Sequence, residues 1–124
     1  VFHKFDGTAP YIILLVLVGI AIYGTEVMSN LALVNVFVPV VASFAIDSEA
    51  GYSILQLCMP VTLAASCAFM LPISTPPNAI VFSSGRLRVN QMAKVGFVLH
   101  LVGVLTVVLF SHLFWFFNRR ALPW

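Results

Sequence analysis

A chain of 124 residues that is 61% hydrophobic and only 8% charged, with a mean hydropathy of +1.07, lies far outside the range of soluble globular domains and marks an integral membrane protein. A formal net charge of +2, spread over scattered basic residues, offers no cationic surface for nucleic acid. No stretch presents a nucleophile beside its base, a cluster of metal-ligating side chains or a phosphate-cradling loop, which argues against an enzyme and against a resident cofactor.

Charge-free runs give the layout: Gly7 to Thr25, Val27 to Ile46, Ala50 to Gly85, and Val95 to Asn118. A helix that crosses the bilayer needs roughly 20 apolar residues, so each run is long enough to enter it and the third is too long for one straight crossing. The chain opens at Val1 without a short apolar segment and adjacent small-residue cleavage site, and reads as a piece of a longer polypeptide. Val1 to Pro10 mixes Phe2, His3, Lys4, Phe5 and Asp6 and ends in Gly7-Thr8-Ala9-Pro10, an interfacial lead-in with a helix start at Pro10.

From Tyr11 to Ile46 a single charge, Glu26, sits mid-run beside Gly24-Thr25 and Ser29-Asn30. Two full spans joined by a tight turn fit this pattern, and so does a re-entrant hairpin of two shorter helices. The hairpin is favoured because Tyr11 to Tyr23 has 13 residues, which at ~1.5 Å rise covers about 20 Å of a ~30 Å hydrocarbon core. Glu26 is an ionisable group at membrane depth, read either as functional or as a hairpin-tip residue facing water.

The third run, from 52 to 85, begins after Asp47-Ser48-Glu49-Ala50-Gly51 and carries Pro60 as a possible kink. Pro72, Pro76 and Pro77 remove backbone donors within a short distance, so a regular helix does not pass through. The expectation is a half-helix from about Tyr52 to Leu71, a break at Ile73 to Pro76, and a second half-helix from Pro77 to about Gly85. Cys58 and Cys67, nine residues apart in this run, read as small buried hydrophobes and not as a disulfide or metal pair.

Arg86, Arg88 and Lys94 form a basic loop before the last run, placed on the cytoplasmic side by the positive-inside rule. Arg119 and Arg120, one crossing away, argue the other way. The fourth run, Val95 to Phe117 (domain bounds 95–118), is an ordinary spanning helix that ends in Trp115, Phe116 and Phe117 as an interfacial anchor. Gly96 and Gly103, seven apart, share a face and suit close helix packing. His100 and His112 differ by about 120° around the axis, so they do not form one site and read as packing or interfacial residues.

Interrupted helices carry electrostatic consequences. A half-helix that starts inside the membrane presents free N–H groups and a positive dipole end, which favour an anion, whereas one that stops there presents carbonyls, which favour a cation. Ser29 or Asn30 can cap the helix running through Leu31, Val34 and Val38, and Thr75 can cap the next one with Pro76 at its first position. The carbonyls around Gly24 to Met28 and Ile73 to Ser74 are then orphaned. Such paired sites are the design of secondary transporters.

Ala65 to Val81 resembles the signature stretch of the divalent anion/sodium symporters, the Na⁺-coupled dicarboxylate, citrate and sulfate carriers. Thr25-Glu26-Val27-Met28-Ser29-Asn30-Leu31, with Ala32 and Pro39 following, resembles that family's second Ser-Asn-Thr motif. The resemblance covers essentially the whole chain but only the last quarter or so of a family member. It implies an all-α membrane fold of three parts, a re-entrant hairpin (11–46), a Pro-broken transmembrane helix (52–85) and a last transmembrane helix (95–118), together half of a mobile transport domain. The remainder of the transporter, including the scaffold through which members form homodimers, lies outside this chain.

By that similarity, Ser29 and Asn30 would hydrogen-bond a substrate carboxylate, while Leu31, Thr75 and Pro76 would line the same pocket. Thr25, the Met28 carbonyl, Asn30 and the Ser74 carbonyl would hold Na⁺ as the coupling ion, through the oxygen ligands a hard cation requires. Leu31 stands where the motif has Thr and removes one hydroxyl, which leaves the choice among dicarboxylate, tricarboxylate and sulfate open. The implied function is sodium-coupled symport of a small di- or tricarboxylate by alternating access, in the plasma (inner) membrane. Two alternatives remain: a Na⁺-independent anion or metalloid exporter of related fold, and a truncated or accessory membrane polypeptide without transport of its own.

Overall fold

The computed structural model describes residues 9–47 and 53–121, with side chains described over 11–47 and 53–118. Most of the interfacial lead-in and the loop from Ser48 to Tyr52 lie outside the described residues. Five helices follow in order: α1 (Ala9–Val27), α2 (Asn30–Asp47), α3 (Ile54–Ala65), α4 (Pro76–Ser83) and α5 (Val89–Ala121).

Three boundaries differ from the sequence expectation. Helix α1 does not stop at Tyr23; it continues through Gly24, Thr25 and Glu26 to a length of 19 residues, about 28 Å. Helix α2 has 18 residues, about 27 Å, so neither arm is the short half-helix that favoured a re-entrant hairpin. Ser29 caps α2: its Oγ accepts the Ala32 N–H at 3.2 Å and its carbonyl accepts the Leu33 N–H at 2.9 Å. The chain turns between the arms over Met28 and Ser29 alone.

Helix α3 starts at Ile54, where Gln56 Oε1 accepts the Ser53 N–H at 2.7 Å, and it runs through Pro60 without interruption. It ends at Ala65, six residues before the expected Leu71, and the break spans Ser66 to Thr75. Helix α4 follows with Pro76 and Pro77 in its first turn, where their missing N–H groups cost nothing. It is closed by Gly85 at φ +71, a conformation that glycine adopts without a side-chain clash.

Helix α5 begins at Val89, six residues before the expected Val95, so Lys94 is helical and the basic loop shrinks to Ser84–Arg88. The Arg88 N–H donates to Gln91 Oε1 at 3.1 Å and fixes that start. At 33 residues, about 50 Å, α5 exceeds a ~30 Å hydrocarbon core.

The core is built from stripes of α1, α2 and α5 around α3. Leu57, Val61, Ala64 and Ala65 of α3 meet Leu14, Val18, Ala21 and Ile22 of α1, Leu33, Val41 and Ala45 of α2, and Val107 of α5. Cys58 and Cys67 are free thiols, Cys58 and Cys67 both half-buried against this cluster. The opposite faces are apolar as well: Leu105, Leu109 and Phe110 on α5 are all more than 60% exposed, the all-round apolar character of a helix in lipid. Helices α2 and α5 are each long and apolar enough to cross a membrane.

Gly96 explains how α5 approaches the break. A Cβ there would lie 2.6 Å from both Met70 Cα and Phe69 O, so only glycine lets the helix touch that backbone. At Gly103 the same Cβ would meet only the tip of Ile22, at 3.8 Å. The shared glycine face is therefore a packing face, with most of the constraint at one position.

Gly96→Ala is expected to destabilise the folded protein by about 1–3 kcal/mol through overpacking, whereas Gly103→Ala leaves it nearly unchanged. Thermal unfolding of the two purified full-length variants in detergent checks the contrast; equal melting temperatures would contradict it.

Candidate functional site

Two consecutive residues at the end of α1 organise the break. Thr25, fully buried, places Oγ1 at 2.7 Å from the Ala65 carbonyl, the last of α3, and against Asn30 Oδ1 at the start of α2. The hydroxyl carries one proton and meets two oxygens. The Thr25, Asn30 and Ala65 oxygens thus converge on one point at the hairpin tip.

Glu26 lies next to it and points into the break. Its Oε1 accepts the N–H groups of Phe69 and Met70, each at 2.7 Å, and its Oε2 accepts the Leu71 N–H at 2.9 Å and the Ser74 hydroxyl. His100 of α5 completes the set, with Nε2 at 2.8 Å from Oε1. Three successive backbone donors that a continuing helix would have given to its own carbonyls are turned onto one carboxylate. This is why α3 stops at Ala65.

The acceptors of the break are satisfied from the other side. Asn78, in the first turn of α4, donates Nδ2 to the carbonyls of Ala68 (3.0 Å) and Leu71 (3.2 Å). Irregular backbone at membrane depth is tolerated only when such partners exist, and here side chains of α1 and α4 supply them.

The expected site residues divide accordingly. Thr25 and Asn30 are in direct contact, and Ser74 is brought to the same tip through its hydroxyl on Glu26. Met28 and Leu31 lie on the exposed side of the tip, Leu31 at 72% exposure, together with the Ser29 hydroxyl; Pro76 is exposed and Thr75 half-buried at the head of α4. Thr75 is the N-cap residue of α4 by position, in extended backbone, but its side chain makes no capping bond. The Gly24 carbonyl is not orphaned: it accepts the Met28 N–H at 3.0 Å.

Three residues carry more than the sequence disclosed. Glu26, only 5% exposed, faces the break and not water. His100 is its partner, while His112 lies apart, edge-on to Tyr11 at 5.1 Å. Asn78 holds two carbonyls of the break, and the signal for it in the sequence is its place three residues after Thr75 in an interrupted helix. For His100 that signal was its position on the Gly96–Gly103 face.

Packed helices with apolar outer faces, a proline-rich break supported by side chains, and a hairpin tip whose oxygens converge on that break define a membrane protein built on discontinuous helices. The profile described as "Sodium:sulfate symporter transmembrane region" matches residues 2–118, and the chain belongs to that family. It is 49% identical over 102 residues to solute carrier family 13 member 2 of mouse, which covers 82% of this chain and 17% of that protein. It is 38% identical over 104 residues to the sodium-dependent dicarboxylate transporter SdcS of Staphylococcus saprophyticus, covering 84% of this chain and 20% of the relative. An uncharacterized transporter of Haemophilus influenzae is 42% identical over 110 residues, 89% of this chain and 23% of its own length. The chain thus spans about a fifth of the length of the curated relatives it matches.

Replacing Glu26 by Ala strands a buried imidazole and three backbone donors, and the expected loss is about 3–5 kcal/mol. Glu26→Gln keeps the volume and one acceptor oxygen, so its loss is smaller. Detergent-solubilised yield and melting temperature of the full-length variants measure this order; an alanine variant as stable as the unaltered protein would refute it.

Proposed function

We propose that this chain is the C-terminal part of the transport domain of a sodium-coupled secondary active symporter for di- or tricarboxylates. The observation that carries the reading is the convergence of Thr25 Oγ1, Asn30 Oδ1 and the Ala65 carbonyl beside the break. Oxygens from three separate elements meet there, and an all-oxygen cluster is what a hard cation accommodates. The relatives named as sodium-dependent dicarboxylate transporters support Na⁺ as that cation.

Thr25, Asn30 and the carbonyls of Met28 and Ser74 hold the ion in this reading. Ser29, Asn30, Leu31, Thr75 and Pro76 line the adjoining pocket, where the N-termini of α2 and α4 favour a carboxylate. Leu31 offers only apolar contact there, so recognition rests on Ser29 and Asn30. The α1–α2 hairpin is re-entrant: its tip, with Thr25 and Glu26 buried against a helix break, belongs to a protein interior and not to an aqueous loop. The full-length protein sits in the plasma (inner) membrane as a homodimer and works by alternating access.

In the full-length protein, Asn30→Ala removes an oxygen shared by ion and substrate. Na⁺-dependent succinate uptake is expected to fall to background at normal surface abundance. Unchanged uptake would overturn the site, and uptake indifferent to Na⁺ would favour an exporter of related fold.

A further inference from the structure

The last helix supplies no oxygen to the proposed ion site, yet it reaches the group that shapes it. Gly96 lets α5 touch the backbone at Phe69 and Met70, and one turn later His100, fully buried, enters between the Tyr23 ring (5.4 Å) and the Phe69 ring (5.9 Å). Its Nε2 meets Glu26 Oε1 at 2.8 Å. The Phe69 N–H lies 3.3 Å from the same nitrogen but 2.7 Å from Oε1, so it belongs to the carboxylate and Nε2 is a donor. Nδ1 is buried without a hydrogen-bond partner among the described residues. An orphaned buried polar atom is a cost. The imidazole's contribution here is therefore its Nε2 donor and its shape.

The two Glu26 oxygens receive five donors: the N–H groups of Phe69, Met70 and Leu71, the Ser74 hydroxyl, and His100. A carboxylate offers about four lone-pair sites. Glu26 thus has no acceptor capacity left for a cation, although it adjoins Thr25. Its oxygens hold the loop that carries Ser74 and do not coordinate an ion.

We propose that His100 is a positioning residue for the coupling ion: acting through Glu26, it fixes the Phe69–Ser74 loop against the hairpin tip, so that Ser74 stands in register with Thr25 and Asn30. This inference rests on the sodium-site reading above. It adds that ion affinity is set from the last helix by a residue that touches neither ion nor substrate.

Two amides separate positioning from packing. In Gln the amide nitrogen stands where Nε2 does and reaches Glu26; in Asn it stands nearer Nδ1 and falls short. In the purified full-length protein, the Kd for ²²Na⁺ is measured directly, and the Na⁺ concentration for half-maximal succinate uptake is measured in proteoliposomes. His100→Asn is expected to raise both by about tenfold, an ordinary coupling between sites, with the maximal rate per inserted protein within about twofold. His100→Gln is expected to stay within about threefold of the unaltered protein in both. Unchanged Na⁺ affinity in His100→Asn, or equal losses in the two variants, would overturn the inference while leaving the sodium site standing. An unaltered protein that binds no Na⁺ overturns both. One that binds Na⁺ without taking up succinate overturns only the substrate reading, because the ²²Na⁺ comparison still decides the role of His100.

Discussion

A single buried carboxylate is the constraint on which the rest of this structure depends. Ten residues between α3 and α4, Ser66 to Thr75, leave helical geometry inside an apolar assembly. Backbone polar groups left unpaired away from water cost on the order of several kcal/mol each. Glu26 answers three of them at once, and Asn78 answers two carbonyls from the opposite side. The charge on Glu26 is in turn tolerable at this depth only because those donors, with Ser74 and His100, surround it. Break and carboxylate each make the other possible.

That mutual dependence ties together elements distant in sequence. Thr25 holds the last carbonyl of α3, and Glu26 holds the loop that leads to α4. Since the two are adjacent on the last turn of α1, the hairpin tip and both ends of the break form one unit. Helix α5 is locked to the same unit by the absence of a side chain at Gly96 and the presence of one at His100. A shift of the hairpin relative to the broken helix would have to strand Glu26 or the loop donors, so the assembly is built to move as a body and not to flex at its centre.

Much of this was legible in the sequence, and the errors share one cause. Pro72, Pro76 and Pro77 announce a break by local chemistry, and Pro76 heads α4 as its fixed φ and missing donor dictate. Phe69, Met70 and Leu71 are good helix residues, so the sequence alone carries α3 to Leu71; what unwinds them is a carboxylate more than forty positions away. Gly24 and Thr25 are weak helix formers by a few tenths of a kcal/mol to about 1 kcal/mol, and burial of Thr25 against Ala65 outweighs that, so α1 runs on where propensity alone suggested an end. Helical periodicity could separate His100 from His112 but could not say which of them faced a charge.

The division of labour among the polar groups also bears on how an anion and a cation could share so small a region under the proposed reading. Helices α2 and α4 both begin at the junction, with Ser29 and Thr75 at their heads, and direct the positive ends of their dipoles there. A free carboxylate at the same point would oppose an anionic substrate. Glu26 stands one residue from Thr25, yet its oxygens are engaged by the loop, the imidazole and Ser74. The remaining oxygens, those of Thr25, Asn30 and the chain carbonyls, are neutral dipoles. A neutral oxygen cage binds Na⁺ more strongly when a negative charge lies beside it, and an anion binds more strongly beside Na⁺. Because such coupling is reciprocal, under the proposed reading an anion seated beside the cage strengthens ion binding by the same factor as the ion strengthens anion binding.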